Sequence, residues 1–369
     1  MQKESSTGDE ESCLDLCGGF YKGKRVFITG HTGFKGTWLC RILHLAGADV
    51  TGYALDPPTN PALFDLTNTA SVVCDVRGDV RDGERLTRTM KAASPEVVFH
   101  LAAEPLVRAS YKNPVETFQV NVMGTVNVLE ATRFCPSLKS VVIVTTDKVY
   151  QNREWLWGYR ESERLCGLDP YSNSKSCAEL AVYSFRHSFF DRENSPALST
   201  ARSGNVIGGG DFAADRIIPD CVRAFSAGKP ALLRNPASTR PYQHVLDCLA
   251  GYLLLAARQA DDKRRFEGAW NFGPDEESCV TTGELATLFA HAWGNEAVWQ
   301  SVPQVDAPHE ATFLKLDSSK AKAALGWRPR WGIKQAVEAT AQWHKAVAAG
   351  QSAADTTDEQ IARWDEETL

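Results

Sequence analysis

The sequence predicts an α/β protein built on a doubly wound parallel sheet, with a smaller, mostly C-terminal second lobe. Three observations predict it. Apolar strands and helical segments alternate from residue 24 onward. A glycine-rich loop follows the first strand directly. After the stretch PALSTARSGNVIGGG, the alternation gives way to short helical segments and charged loops rich in Pro and Gly.

The elements follow in order. KRVFITG is a β-branched run that ends in Gly30, and GTWLCRILHLAGA carries apolar residues at helical spacing. DVTGYALD is a second strand, SVVCDVRGD a third, and ERLTRTMKAA a helix. PEVVFHLAA is a fourth strand, VETFQVNVMGTVNVLEATRF a long helix, and KSVVIVTT a fifth strand. Continuous apolar strands separated by helices argue for a parallel sheet covered on both faces, a Rossmann-like arrangement. Farther on, RPYQHVLDCLAGYLLLAARQA reads as a loop leading into an amphipathic helix, and residues 275–348 read as helices with loops. The expected organisation is a disordered tail over 1–21 and a nucleotide-binding domain over 22–204, with a returning segment at about 238–272. A substrate lobe over 205–237 and 273–348 and a polar tail over 349–369 complete it.

The 369 residues suffice for about two domains. With 43% hydrophobic and 23% charged residues, the composition is that of a soluble globular protein with a sizeable core. A net charge of −6 leaves no basic footprint for nucleic acid. The longest apolar stretch, AGYLLLAA, is far short of the roughly 20 residues a membrane span needs. The N-terminus lacks the basic and apolar regions of a signal peptide. Cys13 and Cys17 form a C-x3-C pair, but no second pair at zinc spacing follows. Most other cysteines, among them Cys40, Cys177, Cys221 and Cys248, sit in apolar runs. Reduced buried thiols in a cytoplasmic protein, with no metal site, are therefore expected.

The loop GHTGFKG spaces Gly30, Gly33 and Gly36 as G-x-x-G-x-x-G between a strand and a helix. Glycine permits the tight turn and close approach of a pyrophosphate, and the helix N-terminus offers free N–H groups. Asp56, at the end of the second strand, suits both ribose hydroxyls and repels a 2′-phosphate, which favours NAD over NADP. Lys35 in the loop argues mildly the other way, and a turn role for Asp56 before Pro57-Pro58 is the alternative. Asp79, ending the third strand, could meet the adenine edge or simply cap the strand end. Tyr171 and Lys175, in YSNSK, lie four apart and share one helix face. An ammonium there favours the phenolate, which can take a hydroxyl proton as hydride leaves for a nicotinamide. Asp147 and Lys148, in TTDKVY, put an acid beside a base at the end of the fifth strand.

Together TGHTGFKG, HLAAE, TTDK, YSNSK and RSGNVIGGGD resemble the extended short-chain dehydrogenase/reductases. REWLWGYRE, DPYSNSKSCAEL, GNVIGGGD and HEATFLKLD are similar to the CDP-glucose 4,6-dehydratase branch of that family, over about residues 22–348. The resemblance implies NAD as cofactor and CDP-glucose as substrate. Its reaction oxidises C4, loses water across C5 and C6, and returns hydride to C6. By resemblance Asp147 is the acid for water loss and Lys148 the base at C5. Thr146 binds the C4 oxygen, Tyr171 is the base for C4 oxidation, and Lys175 holds the nicotinamide ribose and lowers the Tyr171 pKa. Such a base must be uncharged, which needs burial or nearby cations. Thr32, Phe34, Val80, Leu101, Ala102, Ala103 and Thr145 would line the cofactor cleft. Glu104, Asn205, Arg216, Arg240 and His309 would contact the nucleotide sugar, and Asn121 would stand behind the site as a structural residue.

The chain departs from the family pattern at Glu104, usually Gln, and at Phe212 and Tyr242, usually Trp. The related dTDP-sugar dehydratases carry Glu where Lys148 stands, so Lys148 favours the CDP branch. A nucleotide-sugar 4-epimerase, a dehydratase for another nucleotide sugar, or a non-catalytic NAD-sensing protein are the competing readings. By resemblance, the helices at 115–134 and beginning near Tyr171 would pair with a twin in a homodimer or homotetramer.

Overall fold

The computed structural model describes residues 17–294, 296–302 and 312–366. Its centre is a seven-stranded sheet whose recorded pairings are all parallel. The strands are β1 (Arg25–Thr29), β2 (Asp49–Ala54), β3 (Cys74–Arg77), β4 (Val97–His100), β5 (Ser140–Val144), β6 (Ala197–Arg202) and a last strand, Gly268–Asn271. Their spatial order is Gly268–Asn271, β6, β5, β4, β1, β2, β3. The chain winds outward from β1 to β3, then returns to lay β4 against the other side of β1. That reversal opens a crevice at the carboxyl ends of β1 and β4, where such sheets bind their ligands. Every residue of β4, β5 and β6 is buried, because helices cover both faces.

The helices of the first half are α1 (Phe34–Leu45), α2 (Leu63–Leu66), α3 (Gly83–Ala93), α4 (Val107–Lys112), α5 (Pro114–Phe118) and α6 (Gly124–Thr132). Next come α7 (Pro170–Phe189), α8 (Ile217–Ser226), α9 (Val245–Asp261), α10 (Lys263–Phe266), α11 (Thr282–Trp293), α12 (Ile333–Ala348) and α13 (Ala353–Glu366). One face of the sheet packs on α1 and α9 through Trp38, Leu39, Leu43, Leu249 and Leu253. The other packs on α3, α6 and α7 through Leu86, Met90, Val128, Leu129 and Val182. A separate cluster joins α8, α11 and α12 around Phe225, Leu285, Phe289 and Val337. Beside it lie two short strand pairs, Ala231–Leu233 with Trp299–Ser301 and Thr239–Pro241 with Cys279–Thr281. The helical reading of 275–348 missed these, since three-residue strands carry no readable period.

Three expectations are corrected. The long helix read over 115–134 runs instead as α5, a π turn at Gln119–Met123, and α6. The extra residue of a π turn re-aims side chains, and it falls at Asn121. The polar tail over 349–369 is in its described part a packed helix. Ala353, Thr357, Gln360, Ile361 and Trp364 form a buried stripe at helical spacing, hidden in the sequence by its small and polar members. Finally, Tyr21 belongs to the core and not to a tail: it is fully buried and donates to Leu253 O at 2.7 Å. Most of the remaining expected N-terminal tail lies outside the described residues.

Asp247 anchors α13. Its Oδ1 accepts from Trp364 Nε1 at 3.0 Å and Arg330 N at 2.8 Å, while Oδ2 is buried without a partner. Burial pushes the Asp247 carboxyl up to about 6 against the lowering effect of those donors. The native state therefore keeps a proton between the ordinary value of 3.8 and about 6 that the unfolded chain releases, so stability falls as pH rises through that window. Relative to Asp247→Asn, the wild type should lose about 2 kcal/mol between pH 4 and pH 6.5 in chemical denaturation. A constant difference between the two proteins across that range contradicts the assignment.

Candidate active site

Gly30 begins the cofactor crevice. Its φ is +76°, in the left-handed region that glycine tolerates, and a Cβ there would lie 2.6 Å from Ala102 N. A Cβ on Gly36 would lie 2.2 Å from Gly30 O, so α1 packs directly under the loop. Gly33 caps α1 without a side-chain bond, and its first turn holds no acidic residue. The N–H groups of that turn and the positive end of the helix dipole are thus left to an anion. A cradle that any Cβ would fill, beside an uncapped helix start, fits a dinucleotide pyrophosphate.

The other expected cofactor residues surround this loop. Thr32 donates to Leu55 O at 3.0 Å, and Phe34 packs at the rim of the core. Leu101, Ala102 and Ala103 lie half-buried past the end of β4. Val80 is buried and its carbonyl accepts from Asn127. The Asp56 carboxylate stands 92% exposed at the end of β2, 3.4 Å from the Arg77 guanidinium. That leaves it open to a ribose, with a cation beside it. Asp79 behaves as a cap. Its carboxylate accepts from the Arg81 backbone N–H at 2.8 Å and from the Arg81 guanidinium, which together hold it below the usual carboxylate range.

At the end of β5 the chain turns through a short 3₁₀ turn, Asp147–Val149. Lys148 Nζ donates to Asp147 Oδ1 at 2.8 Å, and Thr146 Oγ1 donates to the same oxygen at 2.9 Å. Asp147 Oδ2 is fully buried with no partner. A Cβ on Gly204 would lie 1.9 Å from that oxygen, so only glycine leaves the carboxylate its place. Lys148 also reaches Asn205 Oδ1 at 3.4 Å. Asn205 adopts φ +29°, an uncommon conformation for a side-chain-bearing residue. The structure thus gathers Thr146, Asp147, Lys148 and Asn205 in one cluster.

Tyr171 joins it from α7, where the Thr146 hydroxyl acts on its phenol. Burial pushes its phenol up to about 12, with Asp147 adding to the rise, while Thr146 and the Arg216 guanidinium oppose it. Lys175 lies one helical turn beyond Tyr171 on α7. Its Nζ donates to Val144 O at 3.2 Å, and the Arg216 guanidinium also acts on the phenol. The Lys175 ammonium is tied back to the β5 backbone, a turn of helix deeper than the phenol. Burial, then Lys35, push it down to about 8, and Glu179 resists. Asn121 stands where the resemblance put it. It accepts from Glu104 N at 2.9 Å and donates to Ser174 Oγ at 2.9 Å, binding the β4 loop to α7.

The substrate residues divide. Glu104 is half-buried, and its carboxylate accepts from Leu106 N at 3.2 Å. Arg216 donates to Asp211 at 3.0 Å. Arg240 is largely buried and donates to Thr239 O at 3.0 Å. His309 lies outside the described residues. Sequence reasoning missed the buried Glu179–Arg202 pair, although an arginine inside the apolar strand ALSTAR was a visible signal. It also missed the inward turn of Lys35.

Gly204→Ala should force the Asp147 carboxylate aside. We expect turnover to fall about a hundredfold while dinucleotide binding, read by calorimetry, is kept. Near-normal turnover in the variant shows that Asp147 need not sit where it does.

Comparison with known proteins agrees with this geometry. A family model described as GDP-mannose 4,6 dehydratase matches residues 27–340. The chain is 48% identical to a CDP-glucose 4,6-dehydratase of Salmonella typhimurium, over 90% of this chain and 93% of that protein. It is 28% identical to a dTDP-glucose 4,6-dehydratase of Xanthomonas campestris, over 86% and 92%. Among solved structures, a dTDP-glucose 4,6-dehydratase from Bacillus anthracis in complex with NAD superposes with a TM-score of 0.73 at 21% identity, over 87% of this chain and 96% of that one. A UDP-glucose 4-epimerase from Thermotoga maritima reaches 0.75 at 21%, over 88% and 99%. At these identities the structural matches speak for the fold alone. The chain belongs to the GDP-mannose 4,6-dehydratase family, within the extended short-chain dehydrogenase/reductases.

Proposed function

We propose that this protein is an NAD-dependent CDP-glucose 4,6-dehydratase, a hydro-lyase that makes CDP-4-dehydro-6-deoxyglucose. The observation that carries the reading is the Asp147–Lys148 ion pair, its carboxylate fully buried beside Tyr171 and against the Gly204 backbone. An epimerase needs the tyrosine but has no use for this pair. NAD held against Gly30, Gly33 and Gly36, with Asp56 at its ribose, would accept the C4 hydride and later supply the hydride that reaches C6.

The chain's own residues move the protons. One proton passing from Lys148 to Asp147 turns their ion pair into a neutral amine and a carboxylic acid, the base and the acid that elimination needs. Tyr171, as phenolate, takes the C4 hydroxyl proton. The resulting ketone acidifies H5, which Lys148 removes while Asp147 protonates the departing C6 hydroxyl. Lys148 then returns its proton to C5 as C6 is reduced. Tyr171 is left with one proton too many and Asp147 with one too few. Thr146, which donates to Asp147 and acts on the Tyr171 phenol, lies on the path that restores them.

The cluster of α8, α11 and α12 is read as the nucleotide-sugar lobe, with Glu104, Asn205, Arg216, Arg240 and His309 as its contacts. Arginine suits a diphosphate because its fork gives paired bonds. The described cysteines other than Cys17 are free thiols, and among the described residues no helix is long and apolar enough to cross a membrane. We place the enzyme in the cytoplasm. Leu180 and Tyr183 on α7 and Met123 in the π turn are more than half exposed, which supports pairing of these helices with a twin in a homodimer or a larger homo-oligomer.

Mass spectrometry of the protein incubated with NAD and CDP-, dTDP- or UDP-glucose tests the reading. Loss of one water from CDP-glucose alone is expected. Isomerisation without mass change would point to an epimerase, and no change with any of the three would point to another sugar. Lys148→Ala should slow water loss about 10²- to 10⁴-fold while near-ultraviolet absorbance still reports C4 oxidation. Full dehydration in that variant removes Lys148 from its role.

A further inference from the structure

We infer that Asp75 is a specificity-determining residue of the cofactor cleft: it claims the Arg77 guanidinium and so denies a cation to the 2′-phosphate of NADP, and the preference for NAD rests on Asp75 as well as on Asp56. The inference rests on the dinucleotide cleft described above and not on the dehydration step. Asp56 faces solvent at the end of β2, where an acid meets the adenosine ribose in this fold. Arg77 ends β3 in register with Ala54, two residues before Asp56. An arginine at that edge is the ordinary means of receiving a 2′-phosphate, because its planar fork matches phosphate oxygens. The cleft therefore carries two opposed groups, an acid that suits NAD and an arginine that suits NADP.

The contacts of Arg77 resolve the opposition. Its Nε and Nη2 both donate to Asp75 Oδ2, at 3.2 and 2.9 Å. Its Nη1 reaches Leu55 O at 3.3 Å and Asp56 Oδ1 at 3.4 Å. Each guanidinium nitrogen thus has an acceptor, and the shortest of these bonds goes to Asp75. The guanidinium also lies over the Phe64 ring of α2, 5.1 Å from its centroid, a second restraint on its swing. Arg85 nearby is likewise engaged, on the Arg77 carbonyl.

Asp75 is itself held in place. Its Oδ1 accepts from His31 Nε2 of the glycine loop at 2.8 Å. The His31 ring is fully buried and crosses β2 at Gly52, where a Cβ would lie 2.3 Å from it. Gly52 is the residue of β2 in register with Asp75. The ring also meets Phe64 edge-on at 5.3 Å. Burial pushes the His31 imidazole down, against the raising effect of Asp75, so His31 orients Asp75 and brings it no positive charge. The charge of Asp75 is left for Arg77. What the end of β2 then offers a ligand is the Asp56 carboxylate, 92% exposed against 35% for the Arg77 side chain. A 2′-phosphate would meet that carboxylate while the guanidinium is held elsewhere, a repulsive element of the kind that sets specificity.

The test is calorimetric titration of the full chain with NAD and, separately, with NADP. The wild type should bind NAD the more tightly. Asp75→Asn keeps an oxygen for His31 and loses the charge that claims Arg77. It should tighten NADP about tenfold and leave NAD within about twofold. Added salt should weaken that gain, and combining Asp75→Asn with Arg77→Met should abolish it. Asp75→Ser, which withdraws the carboxylate altogether, should shift the ratio in the same direction. A folded Asp75→Asn or Asp75→Ser protein with the wild-type ratio of NAD to NADP affinity overturns the inference. So does a gain that survives Arg77→Met, which would assign the phosphate to another cation, and so does a wild type that binds NADP as tightly as NAD. A wild type that binds neither dinucleotide overturns the cofactor reading and this inference with it, whereas failure to remove water from CDP-glucose bears on the dehydratase reading alone.

Discussion

A carboxylate and a guanidinium, each 3% exposed, hold the catalytic parts of this molecule together. Glu179 on α7 and Arg202 at the end of β6 meet through two hydrogen bonds of 2.8 Å. Burial alone would raise the Glu179 carboxyl, but Arg202 and the hydroxyls of Thr145 and Thr200 hold it below its ordinary value. Thr145 immediately precedes Thr146 and Asp147. Arg202 immediately precedes Ser203, Gly204 and Asn205. Glu179 follows Lys175 by one turn. One ion pair therefore sets the relative placement of three segments that meet at the candidate site. Arg202 also donates to Tyr150 O–H at 2.7 Å, and Tyr150 donates to Asn271 on the edge strand Gly268–Asn271. Removing one partner of such a buried pair leaves an uncompensated charge, at a cost of about 3–5 kcal/mol.

Around that anchor the site is made by close backbone approach. Gly30 lets Ala102 come near, Gly36 lets the loop lie on α1, and Gly204 lets the Asp147 carboxylate sit where a methyl group would be. Little of the chemistry is then left to flexible side chains. Thr146 lies between the phenol and the carboxylate, and Lys148 shares a proton with its own sequence neighbour. A cluster built this way can hand protons around a closed circuit, as a reaction with no net redox change requires.

The fold was readable because parallel strands covered on both faces must be apolar throughout, and the helices between them keep their period. The candidate cluster was readable because Thr146, Asp147, Lys148, Tyr171 and Lys175 are compressed into two short segments. What stayed hidden depended on contacts between distant segments. The helix Ala353–Glu366 looked like a polar tail because its buried stripe is mostly Ala, Thr and Gln, and its anchor, Asp247, is over a hundred residues away.

By itself the sequence determined the alternation that makes the sheet, the glycine loop at the first crossover, and which residue types stand at the ends of the strands. Those follow from local sterics and periodicity, which act over a few residues. Only the tertiary structure decided the electrostatics. Whether Lys35 points outward or to Ser203, which cation acts on Tyr171, and which carboxylate stands behind Lys175 depend on burial and on charges brought together from separate elements. Both are properties of the packed chain, because desolvation and Coulomb interaction depend on distance in space and not along the sequence.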